Sequence, residues 1–196
     1  MERRTLKMQD AQVRERDGAR YLEGYFAVFN REYQVCCNWM ETIAPGAFRA
    51  FLESGKDVKV LWNHNHDIVL GSTAAGTATL REDDVGLWGS VLINEKDQDA
   101  VNAHARVERG DVDGCSFGFD IGKMEEAWDG DQYRTVILEV DPLYEVSPCT
   151  FPAYTDTSIS ARAQQSMEDA KRRFREAEQK KRETWREEMR SRLKGE

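Results

Sequence analysis

The chain has 196 residues, enough for one cored domain with an appendage and too few for two large enzymatic domains. It carries 28 basic and 36 acidic residues, a net charge of −8, which argues against a protein that binds duplex nucleic acid by neutralising phosphates. No apolar run approaches the roughly 20 residues that span a bilayer, and Met1-Glu-Arg-Arg-Thr-Leu lacks the apolar centre of a signal peptide, so synthesis and use in the cytoplasm are expected.

Over residues 1–162, short alternating segments broken by turn chemistry predict mostly antiparallel β structure with inserted helices. The first predicted strand covers 21–29. A helix over 45–54 opens on Pro45, whose missing N–H has no intrahelical partner there, and stops before Gly55. Strands follow at 57–62, 76–81 and 86–93, then a second helix at 97–109, capped by Asn94 or Asp97 and closed by Gly110. Strands at 115–123 and 132–146 flank the hairpin turn Asp129-Gly130. This irregular order predicts an α+β domain on a mostly antiparallel barrel or strongly curved sheet.

Residues 163–196 hold 11 basic and 8 acidic groups, a net +3 against −11 for the rest. Ala163, Met167, Ala170, Phe174 and Ala177, then Trp185, Met189 and Leu193, form one thin apolar stripe at helical spacing. The division expected is a domain at 1–160 and a charged amphipathic helical tail at 161–196. Such a tail is either a solvated helix touching its domain weakly or, given Phe174 and Trp185, a helix that binds a partner.

Cys36, Cys37, Cys115 and Cys149 make no disulfide framework in a chain of this length, so reduced thiols are expected. Paired Cys-x-x-Cys or His-x-x-x-His spacing is absent, and no structural metal or other cofactor is expected. His64-x-His66 does invite a catalytic metal, since alternation on a strand would put both imidazoles on one side. Beyond Asp67, only His104 remains as a further imidazole, short of the three protein ligands a catalytic zinc wants.

Asp113-Gly-Cys-Ser-Phe-Gly-Phe119 is the most informative stretch. On a strand, Cys115, Phe117 and Phe119 share one face, a core face, and Ser116 and Gly118 share the other. Gly118 leaves the hydroxyl bare, open to close approach by a substrate backbone. A small residue under a crossing loop would look the same. Gly114-x-Ser116-x-Gly118 also fits the nucleophile elbow of α/β hydrolases, but a predicted helix precedes the serine, an alternating run follows it, and all three histidines lie upstream. If Ser116 is a nucleophile, a base must take its proton. His104, mid-helix beside Ala100, Val101 and Val107, reads as a packing or edge residue, leaving His64 and His66. An acid should hold the imidazole, and position alone does not separate Glu145 from Asp67 or Asp113.

Five blocks in order, Glu23-Gly-Tyr-Phe-Ala-Val-Phe29, Ile43-Ala-Pro-Gly-Ala-Phe48, Leu61-Trp-Asn-His64 with Leu70-Gly71, Asp113-Gly-Cys-Ser-Phe-Gly-Phe119 and Glu145-Val-Ser-Pro-Cys-Thr-Phe-Pro-Ala-Tyr154, carry a resemblance over roughly residues 3–160. The sequence resembles the prohead (capsid maturation) serine proteases of tailed bacteriophages, whose fold is similar to that of the herpesvirus assembly proteases. The resemblance implies a serine endopeptidase that acts inside the immature capsid in the host cytoplasm. Its expected partners are the major capsid protein precursor and scaffold segments, with itself as a further substrate. No nucleic acid or membrane partner is expected, and self-association follows only from the dimeric herpesvirus relatives.

By that resemblance His64 is the family histidine, seven residues before Gly71, and Ser116 the family serine; Glu145 is the best substitute for the third member, a second histidine in the herpesvirus relatives. The chain departs from its relatives at Cys115, where Met is common, and in the opening His-Asn-His-Asp. Arg106 and Arg109 are nearby cations for an oxyanion, though nothing in the sequence selects them. The competing readings are a non-enzymatic scaffold or capsid-assembly protein, and a metal-dependent hydrolase using His64 and His66.

Overall fold

A computed structural model describes residues 1–7, 9–36, 38–151 and 157–194. The strands are β1 (Glu2–Lys7), β2 (Gln9–Arg16), β3 (Ala19–Val28), β4 (Tyr33–Cys36), β5 (Trp39–Ile43), β6 (Lys59–Trp62), β7 (Asn65–Ser72), β8 (Ala78–Glu82), β9 (Gly86–Leu92), β10 (Gly114–Asp129) and β11 (Gln132–Cys149). The helices are α1 (Arg49–Glu53), α2 (Gln98–Glu108) and α3 (Thr157–Lys194). All six predicted strands occur. The first helix is shorter than expected, because Pro45 and Gly46 (φ +93°) make a turn and regular helix begins only at Arg49. Asp97 caps α2 by accepting from the Asp99 N–H at 3.0 Å, and Gly110 follows its end at φ +82°.

The strands form two sheets. One runs β2-β3-β9-β8; the other runs β1-β10-β11-β5-β4, with β6 also paired to β11 and β7 to β6. Pairing is antiparallel except where β5 and β6 lie parallel to β11. The expected barrel is therefore corrected to two open sheets among the described residues. The reason lies in β11, which pairs with β5 over Tyr133–Ile137 and with β6 over Glu145–Val146, so one long strand feeds two branches instead of closing a ring.

One apolar core fills the space between the sheets. Leu22 and Phe26 of β3 and Leu87 and Val91 of β9 meet Phe117 and Phe119 of β10 and Ile137 and Val146 of β11. Phe29, Phe48, Phe117 and Phe119 form a chain of ring contacts with centroids 4.9–6.2 Å apart, the middle pair edge-on and the outer two stacked. Arg4 lies over Phe119 and reaches the fully buried Glu41, pairing with it through two nitrogens. Thr135 and Trp39 extend this network, with the indole N–H donating to Thr135 Oγ1 at 2.8 Å.

α3 does not stand clear of the domain. Met167 and Ala170 are buried against Cys36, Trp39 and Tyr133, and Arg173 and Lys171 approach Glu126 at 3.4 Å and Asp131 at 3.8 Å. Farther along, Phe174, Trp185 and Met189 stay exposed. No helix is long and apolar enough to cross a membrane. Among the described residues Cys36, Cys115 and Cys149 form no disulfide; Cys37 lies outside them.

Of the packing and edge positions open to His104, the structure gives it the packed one, and neither ring nitrogen has a hydrogen-bond partner among the described residues. Burial, helped by Arg20 and opposed by Glu108, holds its pKa below the ordinary 6.5. Below that pH the unfolded chain binds a proton that the folded chain resists, so stability falls as the solution is acidified. Denaturant titrations from pH 7.5 to 5.5 should show a slope of at most about 1.4 kcal/mol per pH unit from this group, absent in His104→Leu; an equal slope in both proteins would refute the assignment.

Candidate active site

β10 alternates as predicted. Cys115 Sγ points into the core, 3.4 Å from the Tyr25 carbonyl and 3.6 Å from that of Phe26. Ser116 and Gly118 therefore occupy the opposite face. Antiparallel register sets Ser116 opposite Ser147 and Gly118 opposite Glu145, with Cys149 beside Gly114. Ser116, Glu145, Ser147 and Cys149 thus share one patch, with cross-strand neighbours at about 5 Å and diagonal ones at about 7–8 Å. All four are buried, Ser116 completely.

His64 reaches this patch from a two-residue hairpin turn. Trp62 pairs with Asn65, and Asn63 and His64 between them take φ +52° and +60°, the left-handed pair of a type I′ turn. Asparagine accepts that conformation readily; an imidazole-bearing residue does so at some cost and needs holding. Asn63 staples the turn to the end of β11, donating its N–H to the Pro148 carbonyl at 3.1 Å and accepting the Thr150 N–H on Oδ1 at 2.8 Å. Alternation therefore does not describe His64 and His66, and their expected common side is corrected: His64 is at the turn, and His66 is exposed on β7.

His64 Nδ1 lies 2.7 Å from Glu145 Oε1. A carboxylate accepts, so this partner assigns the ring proton to Nδ1 and leaves Nε2 with its lone pair. Nε2 is 3.7 Å from Cys149 Sγ. Burial, with Glu145 adding to it, pushes the Cys149 thiol up to about 12, so it stays protonated at neutral pH. Glu145 Oε2 accepts the Ser147 hydroxyl at 2.6 Å. The space over Gly118 belongs to this carboxylate: a β-carbon there would sit 2.6 Å from Glu145 Oε1. The expected opening for substrate backbone at Gly118 is corrected accordingly.

Of the residues considered from sequence, the structure gathers Ser116, His64 and Glu145 on this face and leaves Asp67 and Asp113 exposed. Arg109 is paired with Asp111, and Arg106 lies over the Trp62 ring at 5.7 Å. No group of three or more His, Cys, Asp or Glu suited to a metal occurs among the described residues. Asn63, Ser147 and Cys149 were not anticipated; the alternation Glu145-Val-Ser147-Pro-Cys149, polar on one side, is the signal that marks the last two. Pro152, Ala153 and Tyr154 of the fifth block lie outside the described residues.

A strand-borne hydroxyl, an imidazole and a carboxylate on one face are the residue set with which serine hydrolases work. Residues 9–173 match the family of caudovirus prohead serine proteases, and the chain belongs to that family. It is 29% identical over 146 residues to the prohead protease of Enterobacteria phage HK97, an alignment covering 71% of this chain and 58% of that protein. The match thus spans less than two thirds of the relative's length. No solved structure matches the chain.

Proposed function

We propose that the protein is a serine endopeptidase of prohead maturation, cleaving scaffold segments, capsid-subunit precursors and itself inside the immature capsid in the host cytoplasm. Family membership supports the reaction class. The observation that carries the assignment to residues is the 2.7 Å contact between His64 Nδ1 and Glu145 on the face that bears Ser116.

In this reading Ser116 attacks the scissile carbonyl while His64 Nε2 takes its proton. His64 then returns that proton to the leaving amine, and water repeats the cycle on the acyl-enzyme. Glu145 fixes the imidazole tautomer and stabilises its positive charge. The protonated Cys149 is no rival nucleophile at neutral pH. Because Ser116 is fully enclosed, the face must open before a polypeptide reaches it.

The proposed division remains 1–160 and 161–196, with the exposed part of α3 docking on scaffold helices. Likeness of the two-sheet domain to the fold of the herpesvirus assembly proteases is part of the proposal and rests on the ordered sequence blocks.

Incubating the capsid precursor with wild type and with Ser116→Ala, followed by mass spectrometry, tests the function. Wild type should yield defined fragments and the variant intact precursor. Equal processing by both would instead favour a non-enzymatic assembly protein.

A further inference from the structure

We propose that Ser147 is a positioning residue that locks the Glu145 carboxylate to the turn carrying His64 and so aims the imidazole across the sheet; this rests on reading Glu145 and His64 as orienter and base. Ser147 is fully buried in the middle of the patch. Its hydroxyl donates to Glu145 Oε2 at 2.6 Å, and the same oxygen accepts the His64 backbone N–H at 3.3 Å.

A hydroxyl offers one proton and two lone pairs. Here the proton goes to the acid and a lone pair to the main chain of the base. The two oxygens of Glu145 are thereby divided, Oε1 to the imidazole and Oε2 to Ser147. Without the second contact the terminal torsion of a glutamate is soft and broadly populated, and Oε1 is no longer confined to the line of Nδ1. The contact to the His64 N–H matters equally, because that residue sits at φ +60° and its backbone conformation must be held by neighbours.

Ser147 is also the register partner of Ser116 on the adjacent strand. One side chain therefore touches the acid and the base's backbone while standing beside the nucleophile. A buried serine serving only to fill space would be replaceable by alanine without consequence for the imidazole. The geometry requires the opposite.

The test uses the full chain and a fluorophosphonate, which labels activated serines without needing the cleavage motif. In Ser147→Ala the maximal labelling rate of Ser116 should fall about 10–100-fold, the scale of an ångström-level misplacement, with half-saturating probe concentration unchanged. The low-field proton resonance of His64 Nδ1–H should disappear. Ser147→Cys, close in volume with a weaker donor, should fall between wild type and Ser147→Ala, and it provides the readout if the alanine variant folds poorly. Wild-type labelling together with a retained low-field resonance in Ser147→Ala would overturn the positioning role. Wild type that never labels at Ser116 would instead overturn the protease reading, and the resonance would still decide the role of Ser147.

Discussion

Glu145→Gln should lower kcat/KM for cleavage of the capsid precursor by a factor on the order of 10³–10⁴ while leaving the fold intact. The glutamine fills the same space over Gly118, so packing is conserved. Its side chain, however, can present an N–H to His64 Nδ1, where Glu145 presents only an acceptor at 2.7 Å. The imidazole then keeps its proton on Nε2 and cannot receive one from a hydroxyl. The positive charge formed during attack also loses its counter-charge. A misassigned tautomer of this kind costs about 10⁴ in triad enzymes. Progress curves for wild type and Glu145→Gln, with Ser116→Ala as the zero, measure the effect. A loss under tenfold would remove Glu145 from the mechanism.

The largest expected effect on stability is remote from that patch. Glu41 is fully buried and Arg4 nearly so, and the pair joins the edge strand β1 to β5, two strands separating them in the sheet. Glu41→Ala leaves the buried Arg4 guanidinium beside Phe119 with the exposed Glu2 as its remaining carboxylate and the Arg3 carbonyl as a further acceptor, and leaves Thr135 without one acceptor. Breaking a buried ion pair from one side costs about 3–5 kcal/mol, a large share of the stability of a domain. Replacing both partners, Arg4→Met with Glu41→Leu, should recover most of the loss, since no charge is then left unpaired. Urea unfolding midpoints would show this. A single variant no less stable than the double one would mean that Arg4 finds water or another acceptor.

What the sequence revealed follows the physics of alternation. The core half of β10 was legible because Cys115, Phe117 and Phe119 alternate, and β3 and β9 because Leu22 and Phe26, and Leu87 and Val91, hold one face with Gly24 and Gly89 between them. β1 and β2 read as charged chain, since the sequences ERRTLK and QDAQVRER carry their sheet pairing without an apolar face. In β5 the buried members are Trp39, Glu41 and Ile43, and a glutamate in the middle position hides the pattern. The outer end of β10, 124–129, falls outside the predicted strand for the same reason as β1, whereas the Asp129-Gly130 turn and the partner strand from Gln132 are read from sequence. Within the site, the serine face of β10 followed from alternation. His64 and Glu145 came from family resemblance, because their 81-residue separation is closed only by the parallel pairing of β6 with β11. The left-handed turn at His64 was invisible, since no glycine marks it.

β11 carries Tyr133, on which α3 rests, near one end, and Glu145 toward the other. At about 3.4 Å per residue the two stand roughly 40 Å apart along the strand. Beyond its contact at Ala170, α3 runs on through 171–194, about 36 Å of rod at 1.5 Å per residue. On the proposed function, handle and cutting edge thus lie toward opposite ends of β11. If the handle is gripped by a wall, the edge sweeps a bounded arc, meeting bonds inside it at high local concentration and never meeting those beyond it. Distance from the grip then selects what is severed.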